Sequence, residues 1–194
     1  SPYRYMGGVV HSTPVLATKE AKISSGSNTV ESREEYVVYG SMEGGLHIVD
    51  ASTGAEKSVF VPKEILANQS NALASKEPKG HGLVYGVDAP WTVDSQYKVK
   101  TTTSGTTVTT AYEASILRAY GGLRMGGVGF YGLDISTATA PQLLFHIDRS
   151  KAGFDRLAQI WSKPTITEIR HEGKRKRVLI FGGAYMFQGI LDFL

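Results

Sequence analysis

The residue types of a hydrolytic triad are all present: His11 beside Ser12, His47 close to Asp50, His81 between Gly80 and Gly82, and Asp134. In such a triad an imidazole takes the proton of a hydroxyl while a carboxylate orients the imidazole. Nothing in the spacing selects a trio, and no Gly-x-Ser-x-Gly elbow raises a serine at the end of a strand. Asp50 and Asp134 each precede a Ser-Thr pair, in Asp50-Ala51-Ser52-Thr53 and Asp134-Ile135-Ser136-Thr137. A carboxylate there can accept hydrogen bonds from the backbone of its own turn. Both aspartates therefore read as turn-builders, and His11 and His47 as partly buried, hydrogen-bonded scaffold residues. His81 takes no assignment.

Two other patterns invite chemistry. Gly127-Val128-Gly129-Phe130-Tyr131-Gly132 matches G-x-G-x-x-G, but a dinucleotide fingerprint must open a helix, and the residues that follow read as a strand and a turn. These glycines are expected to let the chain turn tightly near a propeller axis. Calcium would want an Asp/Asn-dense loop of the D-x-[DN]-x-[DN]-G kind, which the sequence lacks. Asn68-Gln69-Ser70 matches a glycosylation sequon, a short pattern that recurs by chance. With no Cys in 194 residues, disulfides and thiolate metal sites are ruled out for this chain.

The elements that would carry these residues repeat. Tyr39-Gly40 is followed by Val49-Asp50-Ala51-Ser52-Thr53-Gly54, and Tyr120-Gly121 by Leu133-Asp134-Ile135-Ser136-Thr137. Phe181-Gly182 followed by Leu191-Asp192 begins a third copy. Upstream, Ser12-Thr13-Pro14 precedes the first copy as Ser162-Lys163-Pro164 precedes the third. Gly40, Asp50, Gly54, Gly121, Asp134, Gly182 and Asp192 are thus structural positions of a repeated unit of strand, turn, strand and Asp-x-Ser-Thr turn. Repetition of this kind marks an all-β repeat architecture.

Pattern along the chain supports short strands. Residues 36–40, 46–50, 58–61, 116–120, 128–134, 142–147 and 178–183 alternate or run apolar between turn signals, and 22 glycines punctuate them. Residues 63–75 carry apolar residues at helical intervals and predict a short helix inserted between blades. Residues 19–35 read as a long mobile hairpin loop and 98–110 as a Thr-rich polar ribbon. The run Lys174-Arg175-Lys176-Arg177 supplies much of the +3 net charge. It is expected to be the solvated end of a hairpin, since a nucleic-acid surface would interleave further basic residues with aromatics. No apolar run approaches the roughly 20 residues of a membrane helix, and residues 1–5 do not resemble a signal peptide.

A propeller blade is four antiparallel strands in about 40–45 residues, and closed rings take typically 4 to 8 blades. The expected fold is all-β: a partial β-propeller, about three to four blades of a larger, seven-bladed propeller, with loop and short helical insertions between blades. Residues 1–194 would form part of one propeller domain of a longer protein. A β-sandwich would not repeat one turn signature at blade spacing.

Gly8-Val9-Val10-His11-Ser12-Thr13-Pro14-Val15, followed by residues 38–54, resembles the opening blade of the C-terminal propeller of PilY1/PilC-type proteins of type IV pili. Residues 121–135, with their paired glycines, are similar to that family's glycine-rich strand pair. The resemblance runs from Gly8 to about Gly183. It implies a non-enzymatic adhesin and biogenesis factor, secreted across the inner membrane to the periplasm, outer surface or pilus tip. Such a protein promotes pilus assembly, opposes retraction, and has as partners the minor pilins, the assembly machinery and a host-cell or abiotic surface; nucleic acid is not among them. Family members bind Ca2+ in a propeller loop. No acidic loop here matches it, so no metal or cofactor residue is assigned within this chain, and Ca2+ is left to the rest of a longer protein.

Two rivals share the fold. A quinoprotein (PQQ)-like dehydrogenase also uses Asp-x-x-Thr-Gly turns, but its blades dock a Trp where Phe60 and Phe145 stand here. An outer-membrane assembly scaffold would lack the motif at residues 8–14. The adhesin reading places binding on the insertions at residues 19–35, 63–78 and 96–110, because loops on a rigid scaffold are where recognition concentrates.

Overall fold

A computed structural model of the chain describes residues 8–24, 29–70, 73, 84–183 and 187–192. His81, Gly80, Gly82, residues 1–5 and most of residues 71–83 lie outside these. Eleven strands dominate the described residues. The first four, β1 (Val15–Ser24), β2 (Thr29–Gly40), β3 (Leu46–Asp50) and β4 (Glu56–Phe60), form an antiparallel meander. A second meander comprises β5 (Thr92–Ser104), β6 (Thr107–Gly122), β7 (Phe130–Asp134) and β8 (Gln142–Ile147). The third sheet holds β9 (Thr165–His171), β10 (Lys174–Gly183) and β11 (Phe187–Asp192). Two four-stranded blades and a third sheet of the same connectivity make this a partial β-propeller.

The repeat has a physical basis in how each blade begins. Ser12, Asp88 and Ser162 stand two residues before Pro14, Pro90 and Pro164, and each proline delivers the chain to the first strand of its sheet. Pro is tolerated there because no ladder hydrogen bond is lost. Ser12 Oγ accepts from Gly40 N at 2.7 Å, and Ser162 Oγ accepts from Gly182 N at 2.7 Å. The same clasp thus ties the entry of the first and third sheets to a glycine at the end of their second strand, the last residue of β2 and the last but one of β10.

Strand alternation divides the interior into two layers. Tyr36, Val38, Leu46 and Ile48 of the first blade meet Trp91, Leu117, Ala119 and Leu133 of the second in one core. The opposite face of the second blade sends Tyr120, Phe130 and Ile147 against Ile160, Leu179 and Phe181 in the other. Phe130 and Phe181 stack with ring centroids 4.0 Å apart. Successive β residues point to opposite faces, so a strand held between two layers needs apolar residues on both, as β6 supplies with Leu117 and Ala119 on one face and Ile116 and Tyr120 on the other. At roughly 1.5–3 kcal/mol per fully buried large side chain, these layers are what holds the blades together.

Two local expectations change. In the expected hairpin at residues 19–35, residues 19–24 and 29–35 are not mobile loop but strand, continuing β1 and β2, with Glu20, Ala21 and Lys22 paired to Glu34, Arg33 and Ser32. The expected helix is present as α1 (Lys63–Asn68), and the rest of residues 63–75 lies partly outside the described residues. The tip of the third sheet is Glu172-Gly173, whose φ values of 51° and 76° suit a two-residue hairpin turn. The basic run therefore starts β10, and the guanidinium of its last residue, Arg177, turns inward to Asp94.

Candidate binding surface

The hairpins β1–β2 and β5–β6 both extend beyond their blades, and the extensions pair. Residues 20–24 of β1 lie antiparallel to residues 109–113 of β6. The result is a projecting arm in the order β2–β1–β6–β5, built from the two segments that read as loop and ribbon. Directly paired residues share a face, as do residues two apart along a strand. One face therefore carries Tyr97, Val99, Tyr112, Ala21, Ile23 and Val30, with Arg33, Thr101 and Thr110 among them. The other carries Lys98, Lys100, Glu113, Glu20 and Lys22. Tyr97, Val99, Tyr112 and Val30 are 41%, 60%, 38% and 42% exposed. An exposed apolar face rimmed by polar groups marks an interaction site, and tyrosine suits one because its ring is apolar and its hydroxyl is not. The Tyr97 hydroxyl, donating to Thr18 O at 2.9 Å, fixes its ring across the arm.

The described part of the third insertion, α1, is docked rather than free. Glu64 of α1 accepts from the Tyr131 hydroxyl through Oε2 and contacts His146 Nε2 at 2.9 Å through Oε1. Lys63 Nζ lies 2.6 Å from Asp148 Oδ2. Burial first, then the bond to Glu64 and its charge, hold the Tyr131 phenol well above its ordinary range. The bonds from Lys63 and Ser150 keep the Asp148 carboxyl well below its own. Glu64, His146 and Asp148 are close enough to share an ion, but the donor set does not suit the calcium that the resemblance implies. Calcium takes six to eight oxygens; here one donor is an imidazole and the Lys63 ammonium already occupies Asp148.

The sequence candidates are dispersed. Asp50 Oδ1 accepts from Ser52 N at 3.0 Å, Ser52 Oγ at 2.7 Å and Thr53 N at 3.0 Å. These bonds and Lys57 hold its carboxyl well below the usual carboxylate range. Gly54, at φ 71°, completes that turn. Asp134 Oδ1 accepts from Ser136 N at 2.9 Å, and Asp192 ends β11 opposite Val178. The G-x-G-x-x-G stretch runs into β7 with no helix after it. His11 binds Asp88 at 2.8 Å, and Asp88 also accepts from Arg124 Nη1 at 2.8 Å. Arg124 in turn lies 4.3 Å over the Trp161 ring.

One trio that the sequence did not single out has triad connectivity. His47 Nε2 lies 2.9 Å from Ser41 Oγ, and His47 Nδ1 lies 2.7 Å from Glu56 Oε2. No spacing rule joins these residues; the β2–β3–β4 register does. Ser41 is 1% exposed, closed off under the turn in which its N–H donates to Gly45 O at 2.9 Å. A nucleophile must stand about 3–3.5 Å from the carbon it attacks, and no substrate carbonyl reaches this hydroxyl while the turn is formed. The trio clamps the β2–β3 turn, with His47 stacked on Tyr39 at 4.9 Å.

No family model matches the sequence. Over 182 residues the chain is 25% identical to the type IV pilus biogenesis factor PilY1 of Pseudomonas aeruginosa (strain UCBPP-PA14). That match covers 87% of this chain and 14% of the relative's length. Among solved structures, the C-terminal domain of Pseudomonas aeruginosa PilY1 matches 84% of this chain and 28% of its own at 22% identity, with a TM-score of 0.45. In sequence, then, the chain is similar to a segment of PilY1 over most of its length, in keeping with the resemblance drawn from its Ser-Thr-Pro opening and glycine-rich strand pair.

Proposed function

We propose that this chain is the scaffold portion of a type IV pilus-associated protein, working without catalysis as an adhesin and pilus assembly and retraction-control factor. The similarity to PilY1 across 87% of the chain carries this reading. The arm formed by β1, β2, β5 and β6 is its contact surface: the Tyr97, Val99 and Tyr112 face meets a host-cell or abiotic surface, and the blades transmit the load. Minor pilins and the assembly machinery are its partners, in the periplasm, at the outer surface or at the pilus tip. Among the described residues no helix is long and apolar enough to cross a membrane. The reading requires no cofactor in this chain.

Deleting the encoding gene and counting surface pili by electron microscopy tests it. Fewer pili and reduced attachment are expected, with both restored by the wild-type gene. Normal piliation together with unchanged attachment would overturn the proposal.

A further inference from the structure

Between the second blade and the third sheet lies a cleft of about 260 Å³ whose lining includes Asp94, Gln96, Ile116, Arg118, Ile166 and Arg177. It lies at the interface of β5–β6 with β9–β10, on residues that take no part in the arm. Arg118 sits directly across from Asp94 in the β5–β6 register. Arg177 Nη2 donates to Asp94 Oδ1, and the Asp94 side chain is 7% exposed. Arg118 hydrogen-bonds the Tyr120 hydroxyl, which also lines the cleft, so two guanidiniums and one carboxylate meet there. Glu168, opposite Arg177 across β9–β10, directs its carboxylate toward Arg175 at 3.8 Å. The cleft keeps one unmatched positive charge.

The donors point the same way. Nε of Arg118 and Nε of Arg177 are buried with no acceptor among the described residues. Buried polar groups are almost always hydrogen-bonded, and an exception calls for a partner. Guanidinium is the cation best shaped for a planar carboxylate, which it engages through paired N–H groups. Ile116 and Ile166 make the walls apolar, suited to a short aliphatic stem. A dianion would be disfavoured, because Asp94 leaves only one positive charge to meet it.

We propose that this cleft binds one carboxylate on an aliphatic stem, as a glutamate side chain of a partner peptide presents it. Arg118 is its principal ligand, while Arg177 is shared with Asp94. The site is a property of the inter-blade junction and stands whether or not the chain serves a pilus.

The test is methyl NMR on the 194-residue chain labelled at isoleucine, titrated with N-acetyl-glutamate N-methylamide, its glutamine counterpart and inorganic phosphate. Saturable shifts at Ile116 and Ile166 are expected with the glutamate probe, at least tenfold weaker with glutamine. Arg118→Gln should weaken binding at least tenfold. Ile116→Trp, which fills the cleft and keeps both arginines, should abolish it, so the test survives misfolding of either variant. Absent or non-saturable shifts, equal response to the glutamine probe, or unchanged binding in a folded variant would overturn the proposal. Tighter binding of phosphate than of the glutamate probe would overturn the carboxylate assignment.

Discussion

A Cβ added at Gly40 would lie 2.0 Å from Val87 O, and one at Gly121 2.4 Å from the Trp91 ring. The nearest atom to a Cβ at Gly182 is 3.6 Å away. The three positions look equivalent in sequence, yet only the first two are closed by a neighbouring segment. Overpacking costs about 1–3 kcal/mol, so Gly40→Ala should lower the unfolding free energy measured in urea by an amount near the top of that range. Gly182→Ala should stay near wild type; equal losses at both would contradict the packing described. Asp50 offers a pH test. Its carboxyl is held low first by Ser52, then by Lys57 and Thr53. A depressed folded pKa stabilises above the ordinary carboxylate value of about 4 and loses that contribution as pH falls. Asp50→Asn should therefore melt below wild type at pH 7, with the gap narrowing through pH 4 and below. A gap independent of pH in melts from pH 7 to 2 would exclude the Asp50 charge as its source.

At the scale of the element, α1 and the arm make separable predictions. Glu64 adds to the burial that raises the Tyr131 phenol. Glu64→Gln should lower the Tyr131 titration followed by 13C NMR, while burial alone keeps it above the ordinary value of about 10. A titration unmoved by the substitution would mean that the Glu64 bond is not made in solution. For the arm, Val99→Glu and Tyr112→Glu place charge on an exposed face. Surface substitutions usually change stability by less than about 0.5 kcal/mol, so melting should hold while bacterial attachment falls. Attachment unchanged in both variants would remove the arm from the proposed function. Neither the arm nor its polarity was legible in the sequence. Residues 19–35 read as a polar hairpin loop and 98–110 as a polar ribbon, each by itself, and the pairing of Glu20–Ser24 with Thr109–Glu113 joins segments that only the fold brings together.

Over the whole molecule, Asp88 is the joint between the entry to the first blade and the second. It holds His11 on one side and Arg124 on the other, and its side chain is 1% exposed. Removing one partner of a buried pair costs about 3–5 kcal/mol. Asp88→Ala should fall at the low end, because Arg124 remains partly exposed and stacked on Trp161. Urea denaturation measures it, and a loss below about 0.5 kcal/mol, the range of ordinary surface changes, would show the joint to be dispensable. The same position explains a gap in the repeat. Ser12 and Ser162 each clasp a glycine in the last two residues of a strand, whereas Asp88 stands at the equivalent point and ties segments together instead.

The blade pattern was legible because its causes are local. A proline before a strand, a glycine at its end and a carboxylate closing its own turn each act within a few residues, so repetition exposes them. Those constraints determined the all-β class, the order of the strands and the structural use of Asp50 and Asp134. Only the tertiary structure decided which distant residues meet: Ser41 with His47 and Glu56, Glu64 with Tyr131 and His146, Arg177 with Asp94. Such contacts are set by strand register and by how blades face one another, and a one-residue slip of register would turn each side chain to the opposite face. Spacing along the chain carries no record of them.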